Sequence, residues 1–466
     1  VGWKPRAVFL NRFYWPDVAA TGQMLADLAE DLAARGWKVT VVTSRGVYAD
    51  AAASHPARET HNGVDVVRVA TTRFGRGTII GRIGDYLSYF AGSFVQLLRL
   101  PKPDLVVAMT DPPLLLAPVL AAGAMRGFRT VYWVQDLYPQ LAAKLGVMRE
   151  GGFAYGLFSA IGRRLNRGAD AVVALGPQMA RAMVDAGARP ERTAVVHNWS
   201  DASAVRPVPP EDNPFLAEHG LLGKFVVLYS GNAGRAHTFE AVSEAMRRLR
   251  DEAGVVFVFI GGGPKLGEIR AAAERDALPN VRFMDYLPRA ELAFSLSAAS
   301  AALVTESPDV VGMLVPSKTY GILASGRPLI FVGAPESDVA SVVRDADCGL
   351  VVSPDDPQGL VDAILALRDD PQRAAELGRR ARLAAENLYD RRHATAAWAR
   401  EVERLLRGTV DGETRPEAAS VSTPSGPVRS AASAGSSECT PSGLVGDAAD
   451  VEPRRPAGYV AADADV

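Results

Sequence analysis

The stretch Phe225-Val226-Val227-Leu228-Tyr229-Ser230-Gly231-Asn232-Ala233-Gly234-Arg235-Ala236-His237 runs from an unbroken apolar segment into a glycine-rich loop. Such a segment reads as a strand buried on both faces of a parallel sheet. It restarts a pattern that has already run once. Upstream, Ala7–Asn11, Lys38–Thr43, Val64–Val69, Leu105–Met109, Thr130–Val134 and Ala171–Ala174 read as strands, separated by helical patterns. In Gly22–Arg35, for example, Met24, Leu25, Leu28 and Leu32 fall on one helical stripe. Downstream, Val255–Ile260, Val281–Met284, Ala301–Thr305, Leu329–Val332 and Gly349–Val352 continue the series. Strand–helix alternation repeated twice predicts an α/β protein of two doubly wound, Rossmann-like domains facing a cleft. The prolines at 207, 209, 210 and 214 mark the linker. The expected organisation is 1–206, 207–385, a C-terminal helical segment 386–408 that returns to the first domain, and 409–466 as a disordered tail. That tail is rich in Ala, Ser, Gly, Pro and acids, and lacks an apolar period.

Composition narrows the chemistry. The chain has 466 residues, a net charge of −2 and only two cysteines, Cys348 and Cys439. That excludes a disulfide framework and any zinc site built from paired Cys motifs. The six histidines show no metal-ligand spacing, so no metal is expected. The charge is unevenly spread, because residues 1–205 carry 23 basic against 16 acidic side chains. A positive front half either faces an anionic partner or merely solvates a surface. No apolar run reaches the roughly 18–20 residues that span a bilayer, and the start shows no leader pattern. The expectation is a cytoplasmic protein with at most peripheral contact with the inner face of the cell membrane.

The chemistry should sit on loops after strands, where α/β folds place ligands. Ser230–His237 joins small residues to Arg235, whose guanidinium suits a diphosphate. Gly261-Gly262-Gly263-Pro264-Lys265 repeats the device after the next strand. Val315-Pro316-Ser317-Lys318-Thr319-Tyr320-Gly321 opens a helix, with Ser317 as its N-cap. A cation at a helix start is locally unfavourable, so Lys318 either meets a bound anion or points to solvent. In the front half, Arg12–Gly22 carries Phe13, Tyr14 and Trp15 in a row, which either face an acceptor or pack under a neighbour. Asp136, in Trp133–Pro139, is a candidate cap for the following helix. No Gly-x-Gly-x-x-Gly with a downstream acid follows the first strand, which disfavours a nicotinamide dehydrogenase.

Four motifs together, SGNAGRAH (230–237), VPSKTYGILASGRP (315–328), WVQDLYP (133–139) and HNWSD (197–201), resemble glycosyltransferase family four. Within that family the similarity is to the WbuB-type enzymes of bacterial O-antigen and exopolysaccharide assembly, and it covers about residues 1–408. The resemblance implies a GT-B fold and a retaining, metal-independent hexosyltransferase with no cofactor and no nucleic-acid partner. The donor implied is a nucleotide sugar, usually UDP-linked, carrying an N-acetylated or deoxy hexose. The acceptor implied is a polyprenyl-diphosphate-linked or other glycan at an anionic membrane surface. It assigns catalysis to Asp136, Arg235 and Lys265. Donor binding falls to Gly22, Gly231, Asn232, Arg235, Gly262, Gly263, Lys265, Tyr286, Leu287, Ser317, Lys318 and Thr319, and acceptor binding to Tyr14, Trp15 and Asp17. The sequence departs from the family in one respect: Gly321 stands where many members have the glutamate that binds ribose. A nucleotide-sugar 2-epimerase and a non-catalytic nucleotide-sugar-binding protein are the alternatives that share this architecture.

Overall fold

The computed structural model describes residues 4–17, 19–47, 54–74 and 79–407. The tail expected at 409–466, Val18 of the aromatic loop, and Gly75 and Arg76 lie outside the described residues. The first sheet comprises β1 (Arg6–Leu10), β2 (Lys38–Ser44), β3 (Arg58–His61), β4 (Val64–Val69), β5 (Leu105–Ala108), β6 (Arg129–Trp133), β7 (Ala171–Ala174) and β8 (Thr193–Val195). Its order is β3-β4-β2-β1-β5-β6-β7-β8. The second comprises β9 (Phe225–Ser230), β10 (Val255–Ile260), β11 (Val281–Met284), β12 (Ala301–Thr305), β13 (Leu329–Val332) and β14 (Gly349–Val352), in the order β11-β10-β9-β12-β13-β14. Every pairing is parallel except β3 with β4. β1 sits between β2 and β5, and β9 between β10 and β12. The connections change direction at β1 and β9, which opens a crevice beyond their carboxyl ends.

Strands β3 and β8 escape the apolar-run criterion for different reasons. β3 is a half-exposed edge strand, Arg-Glu-Thr-His, with no apolar face. It is joined to β4 by Asn62 and Gly63 at φ 47° and 80°, the two-residue turn that suits a hairpin. β8 has only three residues.

The C-terminal part of the chain forms two long helices, Pro371–Asn387 and Arg391–Arg407. Between them the chain crosses back to the first domain, where Asp390 pairs with Ser200 in the segment beyond β8. Helix Arg391–Arg407 then lies on helix Ala20–Ala34. Arg391 reaches Asp27 and Asp31 at 2.8 Å and Glu30 at 3.2 Å, and Thr395 donates to Asp31 at 2.9 Å. Trp398 is fully buried beside Phe9 and Trp133, with ring centroids 5.7 and 5.9 Å away. The last described helix is therefore part of the first domain's core.

The two lobes also touch directly. Helix Pro177–Asp185 has no side-chain cap of its own, because Gly176 precedes it. Asp338 of the second lobe supplies one, accepting from the amides of Gln178 and Met179 at 2.9 and 3.2 Å. A Cβ on Gly176 would lie 2.3 Å from the Asp338 carboxyl carbon, so this cap in trans needs the glycine. Such a cap contributes about 1 kcal/mol. Among the described residues, no helix is long and apolar enough to cross a membrane.

Candidate active site

The loops after β9, β10 and β11 are joined to one another through their backbones. Gly231 N donates to Ile260 O at 2.8 Å, Ala233 N to Gly262 O at 2.7 Å, Gly261 N to Met284 O at 3.0 Å and Lys265 N to Ala233 O at 3.0 Å. Glycine is required for this closeness. Gly261 sits at φ +129°, where a Cβ would fall 2.3 Å from Gly231 O. Gly263 sits at φ +107°, where a Cβ would fall 2.4 Å from Asn232 Oδ1. The Tyr286 ring lies against Gly261 and Gly262, so these glycines serve loop packing and a tyrosine platform together. Leu287 is half-buried against the core.

Lys318 turns inward beneath these loops. Its Nζ donates to Tyr229 Oη at 2.5 Å, to His237 Nε2 at 3.1 Å and to Asn232 O at 3.3 Å. His237 Nδ1 lies 2.6 Å from Thr305 O, and since a carbonyl only accepts, Nδ1 carries the proton and Nε2 is left to accept from Lys318. Burial pushes the Lys318 ammonium down to about 7. Burial first, and the Lys318 charge second, push His237 down to about 3. Of the two readings left open for Lys318, solvent exposure is therefore set aside. Arg235 is exposed on the loop rim, and among the described residues its side chain makes no hydrogen bond or ion pair. Lys265 is half-buried and pairs with Glu268 at 3.1 Å. The loops converge, while their three cations face differently, with Lys318 inside and Arg235 and Lys265 at the rim.

Several expected residues stand elsewhere. Thr319 is fully buried in its helix, so its hydroxyl cannot meet a donor. Ser317 occupies the N-cap position but makes no capping bond, because its backbone is already helical at φ −63° and ψ −25°. Gly22 is buried, and a Cβ there would meet Phe13 O at 3.1 Å, so its bareness serves the packing of the aromatic loop on helix Ala20–Ala34. Tyr14 is 1% exposed, and burial raises its hydroxyl far above the usual range, which removes it from acceptor contact. Trp15 is exposed but stacked on His61, with centroids 3.6 Å apart. The Asp17 carboxylate is buried 3.5 Å from His55.

The front lobe supplies carboxylates instead. Asp111 follows β5 and Asp136 follows β6, and Thr110 Oγ1 accepts from the amides of Gln135 and Asp136, both at 3.3 Å. Burial, and then the Asp111 charge, push Asp136 up to about 7. Asp136 does not cap helix Gln140–Lys144, whose N-cap position is Pro139 and carries no side-chain bond. Directly after Asp136, Leu137 N donates across the cleft to Met313 O at 2.7 Å. Leu141, Ala236 and Val310 close around that joint as a small apolar cluster with contributions from both lobes.

Three residues escaped the sequence reading. Asp111 carries the same signal as Asp136, an acid just past a strand. His237 stands at the end of a quoted motif, and only its contact with Lys318 shows its part. Glu306, just past β12, is 1% exposed, and burial pushes it up to about 7. Its neighbour Ser307 N donates to Ala236 O at 2.9 Å, which ties that loop to Arg235.

Comparison with known proteins agrees with this geometry. Residues 20–199 match the family described as "Glycosyl transferase 4-like domain", and residues 224–370 match "Glycosyl transferases group 1". The chain is a GT-B glycosyltransferase. Probable glycosyltransferase WbjE of Pseudomonas aeruginosa is 30% identical over 266 residues, which span 57% of this chain and 66% of that protein. The putative colanic acid biosynthesis glycosyl transferase WcaI of Escherichia coli K12 is 25% identical over 364 residues, 75% of this chain and 89% of the relative. Among solved structures, sucrose-phosphate synthase of Thermosynechococcus elongatus superposes with a TM-score of 0.70 at 18% identity, over 86% of this glycosyltransferase and 100% of that chain. Anabaena HepE in complex with UDP-glucose superposes with a TM-score of 0.65 at 17% identity, over 86% and 100%.

Proposed function

We propose that this glycosyltransferase moves an N-acetylated or deoxy hexose from a nucleotide sugar, UDP-linked, to a polyprenyl-diphosphate-linked glycan, with retention at the anomeric carbon and without a divalent metal. The setting is cell-surface polysaccharide synthesis of the WbuB type, on the inner face of the membrane. The relatives support this reading, since WcaI is named for colanic acid biosynthesis and HepE was solved with UDP-glucose. The observation that carries it is the joint between the lobes. Leu137 N on Met313 O, with Leu141, Ala236 and Val310 around it, sets the Asp136 loop against the loops of Arg235 and Lys318. A carboxylate that can hold an acceptor hydroxyl thus opposes cations that can hold a departing diphosphate.

As the glycosidic bond breaks, negative charge grows on the leaving diphosphate. Positioned donors and cations that meet this charge lower the barrier without having to reorganise. Arg235 stands exposed on the loop rim, ready to turn toward that charge. The leaving phosphate itself takes the acceptor proton, helped by Asp136 as a hydrogen-bond acceptor. Arg235→Ala should lower kcat about 100-fold or more, the scale of losing one such group. Its melting temperature should stay that of the parent, because the side chain is exposed and bonds to none of the described residues. Near-normal turnover in that variant would contradict the assignment.

The acceptor side has an apolar face that suits a lipid surface. Helix Phe153–Gly168 exposes Phe153, Leu157 and Ile161, spaced four apart on one stripe, and carries Arg163, Arg164 and Arg167. Helix Ile79–Arg99 exposes Ile80, Ile83 and Leu87 in the same manner. Both pack against helix Leu116–Arg126. Burying one such side chain contributes about 1.5–3 kcal/mol, and each basic residue near an anionic leaflet about 1 kcal/mol. The variant with Phe153, Leu157 and Ile161 all changed to Ser should therefore lose co-sedimentation with anionic liposomes. Co-sedimentation of the parent that ignores both salt and anionic lipid would count against docking.

A further inference from the structure

Asp338 opens helix Asp338–Asp345 of the second lobe, yet that helix already has a cap, because Ser337 Oγ accepts from Val339 N at 3.1 Å. The Asp338 carboxyl group is not spent within its own lobe. It is 5% exposed, and among the described residues both of its hydrogen-bond donors, the amides of Gln178 and Met179, belong to the first lobe. The dependence is mutual, since helix Pro177–Asp185 starts at Gly176 and has no acceptor of its own. In this arrangement two buried acceptor atoms meet two helix amides. If the lobes parted, water would have to satisfy each set separately.

The same helix end is gripped from a second side. Gly312 sits at φ +74°, where a Cβ would lie 3.1 Å from Gln178 O and 3.6 Å from Ala182 Cβ. Its neighbour Met313 accepts from Leu137 N at 2.7 Å. One short segment of the second lobe thus touches both the start of helix Pro177–Asp185 and the Asp136 loop. Within the first lobe those two parts are tied together. They follow the paired parallel strands β7 and β6, and Val134 N donates to Val173 O at 2.9 Å where the strands end. A shift of the helix end relative to Asp338 is therefore also a shift of Asp136 relative to the loops of Arg235.

We propose that Asp338 is a positioning residue for the transfer reaction, a latch that caps helix Pro177–Asp185 in trans and so holds the lobes in the register where Asp136 faces Arg235. It touches no substrate. This rests on the reading above, in which groups of both lobes act on one donor and acceptor, and adds what sets their register. A cap from the same lobe would stabilise the helix equally well at any angle between the lobes. Only a cap from the opposite lobe makes the helix end depend on that angle. Gly176 keeps the cap in trans. Its φ of −164° and ψ of 169° are extended and open to any residue, but the three atoms nearest a Cβ there all belong to the Asp338 carboxyl group, at 2.3, 2.5 and 2.6 Å.

The test moves the cap from one lobe to the other in the full chain. Asp338→Ala removes it. Gly176→Ser combined with Asp338→Ala returns a cap from within the first lobe, since serine is a good N-cap and the truncation clears the space its Cβ needs. Asp338→Ala should melt about 2–4 °C below the parent, the shift that losing one cap gives in a domain of this size. Its radius of gyration by solution scattering should exceed the parent's. Transfer from UDP-N-acetylglucosamine to a polyprenyl-diphosphate-linked monosaccharide should lose about 10-fold in kcat/KM, the scale of leaving buried donors unpaired. The Kd for UDP should stay that of the parent, because the glycine loops lie within the second lobe. The double variant should regain the parent's melting temperature and keep both the larger radius and the slow transfer. A radius unchanged in Asp338→Ala, or transfer restored in the double variant, makes Asp338 an ordinary helix cap, which overturns the inference and leaves the two-lobe reading intact. A larger radius with transfer at the parent's rate overturns both. No transfer by the parent, with the radius enlarged in both variants, supports the latch and overturns the donor and acceptor assignment.

Discussion

Asp136→Asn should lower kcat by about 100-fold or more, the scale of losing a positioned acid–base group, while the Kd for the donor nucleotide stays that of the parent. The split follows from where the residue stands. Asp136 belongs to the front lobe, and it opposes the loops of Lys318 and Arg235 across the Leu137–Met313 joint. Its proton is held to about pH 7, first by burial and then by the Asp111 charge. The ionised carboxylate is the charged and stronger acceptor for an acceptor hydroxyl, whereas protonated Asp136 offers only its weaker carbonyl oxygen, so kcat/KM should rise with pH through about 7. The Asn variant should lose that limb altogether. Asp111→Asn removes the neighbouring negative charge, so the proton of Asp136 leaves more readily and the limb should move to lower pH. Tyr132 and Tyr138 also face Asp136, and Tyr86 stands beside Tyr138, but burial keeps the first two neutral far above this range. A pH profile unchanged in Asp111→Asn, or full turnover in Asp136→Asn, would remove both carboxylates from the reaction.

The parts of this molecule that were legible in its sequence are those whose cause is local. A strand buried on both faces must be apolar throughout, and five of the six strands of the second sheet carry an unbroken apolar run or nearly so. The exception is β11, where Arg282 interrupts Val281–Met284. The glycine loops were legible as candidate sites because they follow such strands. What was not legible depends on partners far away in the chain. Asp27, Glu30 and Asp31 read as an ordinary charged helix face, and nothing near them announces Arg391. Asp338 reads as the first residue of its own helix, yet it caps a helix about 160 residues upstream. Side-chain direction was the second blind spot. Lys318 and Thr319 are adjacent, but the helix turns one beneath the glycine loops and the other into the core. Tyr14 and Trp15 divide in the same way, one buried and the other stacked on His61. Position 321 belongs with these. A Cβ on Gly321 would meet Leu296 at 3.5 Å, an ordinary contact, so the packing there does not itself demand glycine.

The glycines separate just as sharply, and this yields the second large effect. Gly261→Ala should abolish donor binding and lower the melting temperature, whereas Gly267→Ala should do neither. In sequence both are glycines of the segment that follows β10. Gly261 sits at φ +129°, which costs a non-glycine residue about 1–3 kcal/mol before any contact is counted. Its Cβ would also lie 2.3 Å from Gly231 O, a backbone atom fixed by the bond from Gly231 N to Ile260 O. A rotamer change cannot relieve a clash between two backbones, so the β9 and β10 loops must part. Parting them strips Tyr286 of its platform and moves Gly231 away from the stem of Lys318, so the loss reaches ligand binding as well as stability. Gly267 lies inside helix Pro264–Arg275 with open space where a Cβ would go. There alanine is the better helix former by about 1 kcal/mol, and the melting temperature should hold or rise. Thermal unfolding of both variants with and without UDP checks the pair. A Gly261→Ala protein that keeps a UDP-dependent shift in melting temperature would mean that the stitched loops do not form the donor site.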